Sequence, residues 1–220
     1  MSADGDGSHA SNEVTHEAGG FVKGVAIALV TQNKDPDGLC RVKVRFPWHS
    51  SPQESYWARI AVLMAGKDRG TVFLPEVGDE VLVAFEREDM RFPYVIGALW
   101  NGKEPPPEKN SDGKNDRRVI KSRSGHTLTF VDKEGQGEVA LALCEGGKLT
   151  RNITLDKNGI ELKDDKGNSV AIKSASGDVK ITAKGKLTLE GAQVVVHGSG
   201  SLELKGDASA SLRGGTVNIN

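Results

Sequence analysis

The sequence predicts an all-β protein, a small closed barrel followed by a needle that only several identical chains can complete. Three observations predict it. From Ile153 to Ile219, apolar residues recur as i, i+2 doublets at short, regular intervals. All three tryptophans, both tyrosines and five of the six phenylalanines lie before residue 101. Between the two regions runs a segment with three consecutive prolines, Pro105-Pro-Pro107, which is extended, semi-rigid and unfit for a sheet interior.

Residues 1–19 are rich in Gly, Ser, Asp and His and read as a flexible leader. They contain no apolar run that would make a secretory signal. The run Val25–Val30 is far too short to span a bilayer.

Residues 20–102 form the first domain. Phe21–Val30 is apolar and rich in strand formers, and Arg41–Phe46 alternates strictly, placing Val42, Val44 and Phe46 on one face. Tyr56–Met64, Glu80–Phe85 and Pro93–Leu99 supply three more strands. Asp35-Pro-Asp-Gly38 is a turn, with proline presetting φ and glycine free to take a positive value. About five short antiparallel strands in a stretch of this length suit an OB-fold barrel.

Residues 103–125 are the proline-rich linker and transition, and residues 126–220 are the repeat. Its doublets are Ile153/Leu155, Ile160/Leu162, Val170/Ile172, Val179/Ile181, Leu187/Leu189, Val194/Val196, Leu202/Leu204, Ala210/Leu212 and Val217/Ile219. Their first members span 64 residues in eight intervals, a mean period of 8. Glycines such as Gly159, Gly167, Gly177 and Gly185 separate the strands. Positions between doublet members are polar: Lys180, Thr188, Glu203.

A single chain folded this way leaves its apolar face uncovered, which no stable layer does. A period near 8 also falls short of what one chain needs to close a coil by itself. Three chains around one axis, each giving one strand per level, close a thin prism. The expected fold is therefore an intertwined triple-stranded β-helix, a homotrimer. Its core would hold the seventeen Val, Ile and Leu members of these doublets and leave no room for large aromatics.

At this point the chain resembles a known family. Residues 33–47 are similar to the start of the phage baseplate protein V barrel. Trp57-Ala-Arg59, Leu74–Phe85 and Ile96–Gly102 continue the likeness in order, and Ser122–Phe130 resembles the handover from barrel to needle. The family includes central spikes of contractile phage tails, the valine-glycine-repeat (VgrG-like) spikes of type VI secretion, and spikes of extracellular injection particles.

The resemblance implies a structural homotrimer that caps an inner tube through a hub protein and pierces a target envelope when a sheath contracts. It implies transient contact with the target membrane, and synthesis in a bacterial cytoplasm before assembly into the particle. Three departures are visible. A short leader stands where long type VI spikes carry a hub-like region, so the hub is expected to be a separate polypeptide. The lysozyme domain inserted in some phage spikes is missing. The sequence ends Gly214-Gly-Thr-Val-Asn-Ile-Asn220 without a His-x-His metal pair, so a PAAR-type tip protein is expected to cover the open end.

Candidate chemistry is sparse. The spacing Asp35-x-Asp37-Gly38 lacks the further ligands of a calcium loop. His197 falls out of phase with Val194 and Val196, and His49 and His126 are expected on solvent-facing loops or strands. Cys40 and Cys144 show no metal or redox spacing and suit a reducing compartment. No nucleophile elbow or phosphate loop occurs, so no enzyme activity, metal or cofactor is expected. The alternative is an OB-fold binder of oligosaccharide or single-stranded nucleic acid on a β-repeat stalk. Arg41, Lys43 and Arg45 favour it, whereas Asp35, Asp37 and Glu54 beside them, and a net charge of -1, oppose it.

Overall fold

The computed structural model describes residues 22–50 and 53–219; the expected leader lies outside them. The chain divides into two compact units, one ending at Lys109 and one starting at Asn110. No α-helix occurs among the described residues, so the class is all-β.

The first unit contains β1 (Val25–Gln32), β2 (Lys43–Arg45), β3 (Arg59–Ile60), β4 (Ala65–Gly66), β5 (Arg69–Gly70), β6 (Glu80–Phe85) and β7 (Pro93–Ala98). Five of these make one sheet in the order β2-β1-β6-β7-β3. Its two outer strands approach one another through the Val42–Ala58 bridge, with N–H to O distances of 3.0 and 2.7 Å. The sheet thus curls on itself as an OB-like barrel does.

Alternation decides what fills it. Ala26, Ala28 and Val30 of β1, Val81, Val83 and Phe85 of β6, and Val95 of β7 all point inward and are buried. Val42, Val44 and Phe46 join them, on the face the sequence assigned.

One strand differs from expectation. Within Tyr56–Met64 only Arg59 and Ile60 enter the sheet, and they run parallel to β7 rather than antiparallel. The chain then turns away into the β4–β5 hairpin, whose Asp68 and Gly70 both have positive φ. A Cβ on Gly70 would lie 2.5 Å from the Met64 carbonyl oxygen, so the hairpin closes only with glycine there. Strand-forming residues such as Val62 gave the sequence no sign of this exit.

The Asp35–Gly38 turn forms as read from sequence. The Asp35 carboxylate accepts from the backbone N–H of Asp37, Leu39 and Arg41 and from the Arg41 guanidinium. Its side chain is only 3% exposed. The Arg41 hydrogen bonds hold its carboxyl far below the usual carboxylate range.

The second unit is a meander of seven antiparallel strands in sequence order: β8 (Arg117–Lys121), β9 (Thr127–Val131), β10 (Glu138–Glu145), β11 (Lys148–Asp156), β12 (Gly159–Asp164), β13 (Ser169–Lys173) and β14 (Val179–Thr182). It begins upstream of residue 126. Tight turns force the antiparallel return. Asp156 accepts from the N–H of Asn158 and Gly159, and Asp164 from the N–H of Lys166 and Asn168, so each carboxylate completes an Asx-type turn.

Through Thr182 neighbouring strands are hydrogen-bonded within the chain, whereas the expected intertwined β-helix takes each neighbouring strand from another chain. Residues 183–219 contain no assigned strand. The two stretches share an apolar rhythm but differ in where their hydrogen bonds go.

Candidate assembly surface

The registers of the meander stack apolar residues into two rows. One runs Ile120, Leu128, Leu141, Ile153, Leu162, Val170, Ile181, each directly opposite the next across the seven strands. The second begins at Arg118 and continues Phe130, Val139, Leu155, Ile160, Ile172, Val179 in the same registers. Both rows occupy one face, since their members are spaced by two along each strand.

That face is uncovered. Exposure ranges from 37% at Val139 to 65% at Val179, with only Leu128 and Ile153 less exposed. The central row of the opposite face runs Val119, Thr129, Ala140, Thr154, Glu161, Ala171, Lys180, small or polar side chains apart from Val119. A two-row apolar strip seven strands long exceeds what soluble monomers leave to water, and such patches mark interaction sites. Each side chain has up to about 1.5–3 kcal/mol to gain on full burial, less what its strand neighbours already cover.

Of the seventeen residues named from sequence, eight, from Ile153 to Ile181, fall in these two rows. The other nine, Leu187, Leu189, Val194, Val196, Leu202, Leu204, Leu212, Val217 and Ile219, lie beyond the sheet and are all exposed. Sequence reasoning missed the upstream members Ile120, Leu128, Phe130, Val139 and Leu141. Their alternation was visible, but Leu128, Val139 and Ile153 stand 11 and 14 residues apart, outside the period of eight. Phe130 also places an aromatic ring on a face expected to exclude one.

A third row at one end of the strands is mostly polar. Arg151 lies opposite Leu143 and Asp164 and donates to Glu145 at 2.6 Å. His126 is half-buried rather than solvent-facing, because its Nδ1 accepts the Cys144 backbone N–H at 3.1 Å. Nothing in this row arranges a nucleophile with a base. Among the described residues no cluster of three metal-ligating side chains occurs.

On the barrel, Arg41 is bound to Asp35 and Asp37, and Lys43 to Glu54 at 3.4 Å. Trp57 lies between those same two cations, 5.8 and 5.4 Å from its ring. Two of the three cations on the basic strand face, Arg41 and Lys43, are thus charge-compensated, which disfavours a phosphate backbone as its ligand. Elsewhere on the barrel a groove of about 730 Å³ is lined by Leu39, Met64, Val72 and Phe73, all exposed. Cys40 and Cys144 form no disulfide.

Comparison with known proteins gives these surfaces a context. Residues 26–100 match the family described as the type VI secretion system/phage-baseplate injector OB domain. The type VI secretion system spike protein VgrG3 of Vibrio cholerae serotype O1 is 30% identical over 133 residues, covering 54% of this chain. The actin cross-linking toxin VgrG1 of the same species is 28% identical over 133 residues, again 54% of this chain. The spike protein VgrG1c of Pseudomonas aeruginosa is 33% identical over 94 residues, or 39% of the chain. The chain spans only 13%, 12% and 13% of the length of these relatives.

Proposed function

The barrel of this chain, residues 26–100, belongs to the phage-baseplate V and VgrG-like family of injector OB domains, and from that premise we propose that the chain is the central spike of a contractile injection machine. The observation that carries the proposal is the uncovered two-row apolar face of the second unit. Three copies, each turning that face toward a common axis, bury both rows in one narrow column. The polar opposite faces then form the outside of a stiff rod.

Below Thr182 the doublets continue while the in-chain ladder stops. In the trimer these residues take their backbone partners from neighbouring copies, which makes this part an intertwined β-helix. Folding and assembly are then one event, and the shaft resists unfolding kinetically. A tip protein of the PAAR type covers the last strands of the column, since an unpaired strand end is a pairing hazard.

The barrels form the base and join the hub at the end of the inner tube. Force from the contracting sheath passes through the base to the rod and concentrates on a small area of target envelope. The role is mechanical, and no helix among the described residues is long and apolar enough to cross a membrane. The oligosaccharide- or nucleic-acid-binding alternative is disfavoured by the paired cations of the barrel.

A tagged copy of the full chain in its native host tests the role. Affinity purification followed by mass spectrometry is expected to recover sheath, tube and hub proteins in sub-stoichiometric amounts. Recovery of the trimer alone, from cells that visibly assemble sheaths, would contradict it.

A further inference from the structure

The two ends of the strands in the seven-stranded sheet carry different charges, and their pattern changes along the meander. At the first edge, the β8–β9 level holds Asp116, Arg117, Arg118 and Asp132, with Arg118 bound to Asp132 at 2.7 Å; the β10–β11 level holds Glu138, Asp156 and Lys157; the β12–β13 level holds Lys173 and Asp178. At the second edge the same levels hold Lys121 and Arg123; Glu145, Lys148 and Arg151; and Asp164, Asp165 and Lys166. At the β10–β11 level the two edges have opposite net sign, and at the other two levels the first edge is neutral. The first edge runs neutral, negative, neutral, and the second runs positive, positive, negative.

A threefold rotation about an axis along the meander brings the first edge of every copy against the second edge of the next, and it preserves height. Charges at one level therefore meet across the seam. We propose that these edges form electrostatic seams between neighbouring copies, with Lys148 of one copy facing the Glu138 and Asp156 level of the next, and Asp165 facing Lys173. This rests on the trimeric reading given above and adds what fixes its register. The apolar rows alone are nearly uniform along the axis and would tolerate slippage. A slip of two strands, roughly 10 Å, sets Lys148 against Lys173 and is repelled.

The seam is testable because its partners cannot meet within one chain. Glu138 pairs with Asp156 at one end of β10–β11, and Lys148 with Glu145 at the other. Seven residues of extended strand separate Glu138 from Glu145, roughly 23 Å, well beyond the ~8 Å screening length at physiological salt. Coupling between positions 138 and 148 must then pass between copies.

The experiment is a charge-swap cycle on the full chain, with trimer mass read by light scattering and trimer lifetime read in SDS at low salt. Lys148→Glu is expected to shorten the lifetime about tenfold, since three symmetry-related seams each lose a modest pair and gain a repulsion. Glu138→Lys added to it is expected to restore most of that lifetime, and high salt to shrink both effects. If Lys148→Glu prevents assembly, recovery of the trimer in the double variant supports the seam, and failure to recover overturns it. Strictly additive effects in a trimer of normal mass overturn the seam while leaving the trimer standing. A monomeric unsubstituted chain overturns the trimeric reading itself.

Discussion

Leu162→Asp is expected to leave the protein monomeric. Leu162 stands in the middle of its row, opposite Ile153 on one side and Val170 on the other, with nearly half of its surface awaiting cover. Threefold symmetry would place three aspartates at one level of a dry column. Removing each ionised carboxylate from water costs several kcal/mol, and no cation lies in either neighbouring position to compensate. Protonation relieves the charge only by raising each pKa steeply, which itself costs about 1.4 kcal/mol per unit.

The combined penalty exceeds about 5 kcal/mol per trimer, comparable to the whole stability of many domains. The matching control is Glu161→Lys, one residue away on the polar face, where the side chain bonds only Lys163 at 3.0 Å. That change is expected to alter stability by no more than about 0.5 kcal/mol. Light scattering at equal concentration separates the two variants. A normal trimer from Leu162→Asp would mean that the face is not a core.

Gly159→Ala is expected to break the meander from within. Gly159 holds φ at +140°, and a Cβ there would lie 1.8 Å from the Ile172 carbonyl oxygen and 2.9 Å from its carbon. Those are main-chain atoms of the neighbouring strand, so no side-chain rotation relieves the clash. Strain from the φ value adds to it. The pairing of Gly159 with Lys173 must open, and the turn that Asp156 organises opens with it.

A loss of more than about 3 kcal/mol follows, in the range reserved for backbone conflicts. Gly135 is the control, since it too has positive φ but open space around its Cβ position. Gly135→Ala is expected to cost only about 1 kcal/mol. Thermal unfolding of the assembled protein ranks the two, and equal midpoints would contradict the close approach at Gly159.

Much of this architecture was legible in the sequence, and the remainder was hidden for identifiable reasons. Strict alternation in Arg41–Phe46 assigned Val42, Val44 and Phe46 to the barrel interior because a strand has only two faces. The doublets from Ile153 to Ile181 were assigned to one face on the same ground. Alternation says nothing about which strand lies alongside, however. The in-chain pairing of β11 to β13 depended on turn chemistry at Asp156–Gly159 and Asp164–Asn168, where sequence reading placed separating glycines without following their consequence.

The upstream part of the apolar face was missed because Leu128, Val139 and Ile153 stand 11 and 14 residues apart, outside the period of the later doublets. The parallel approach of β3 to β7 had no local signature at all, being set by the hairpin that follows it. The charge pattern of the two edges likewise emerges only once the registers place Lys148 and Glu138 at opposite ends of one level.

The central claim is that three chains complete one core, and solution mass tests it most directly. Light scattering on the purified full-length chain, before and after warm SDS treatment, is expected to give a species of three times 23.4 kDa that survives the detergent. A folded, β-rich species of 23.4 kDa at working concentration would contradict the account, because the two apolar rows would then be stable in water without a partner.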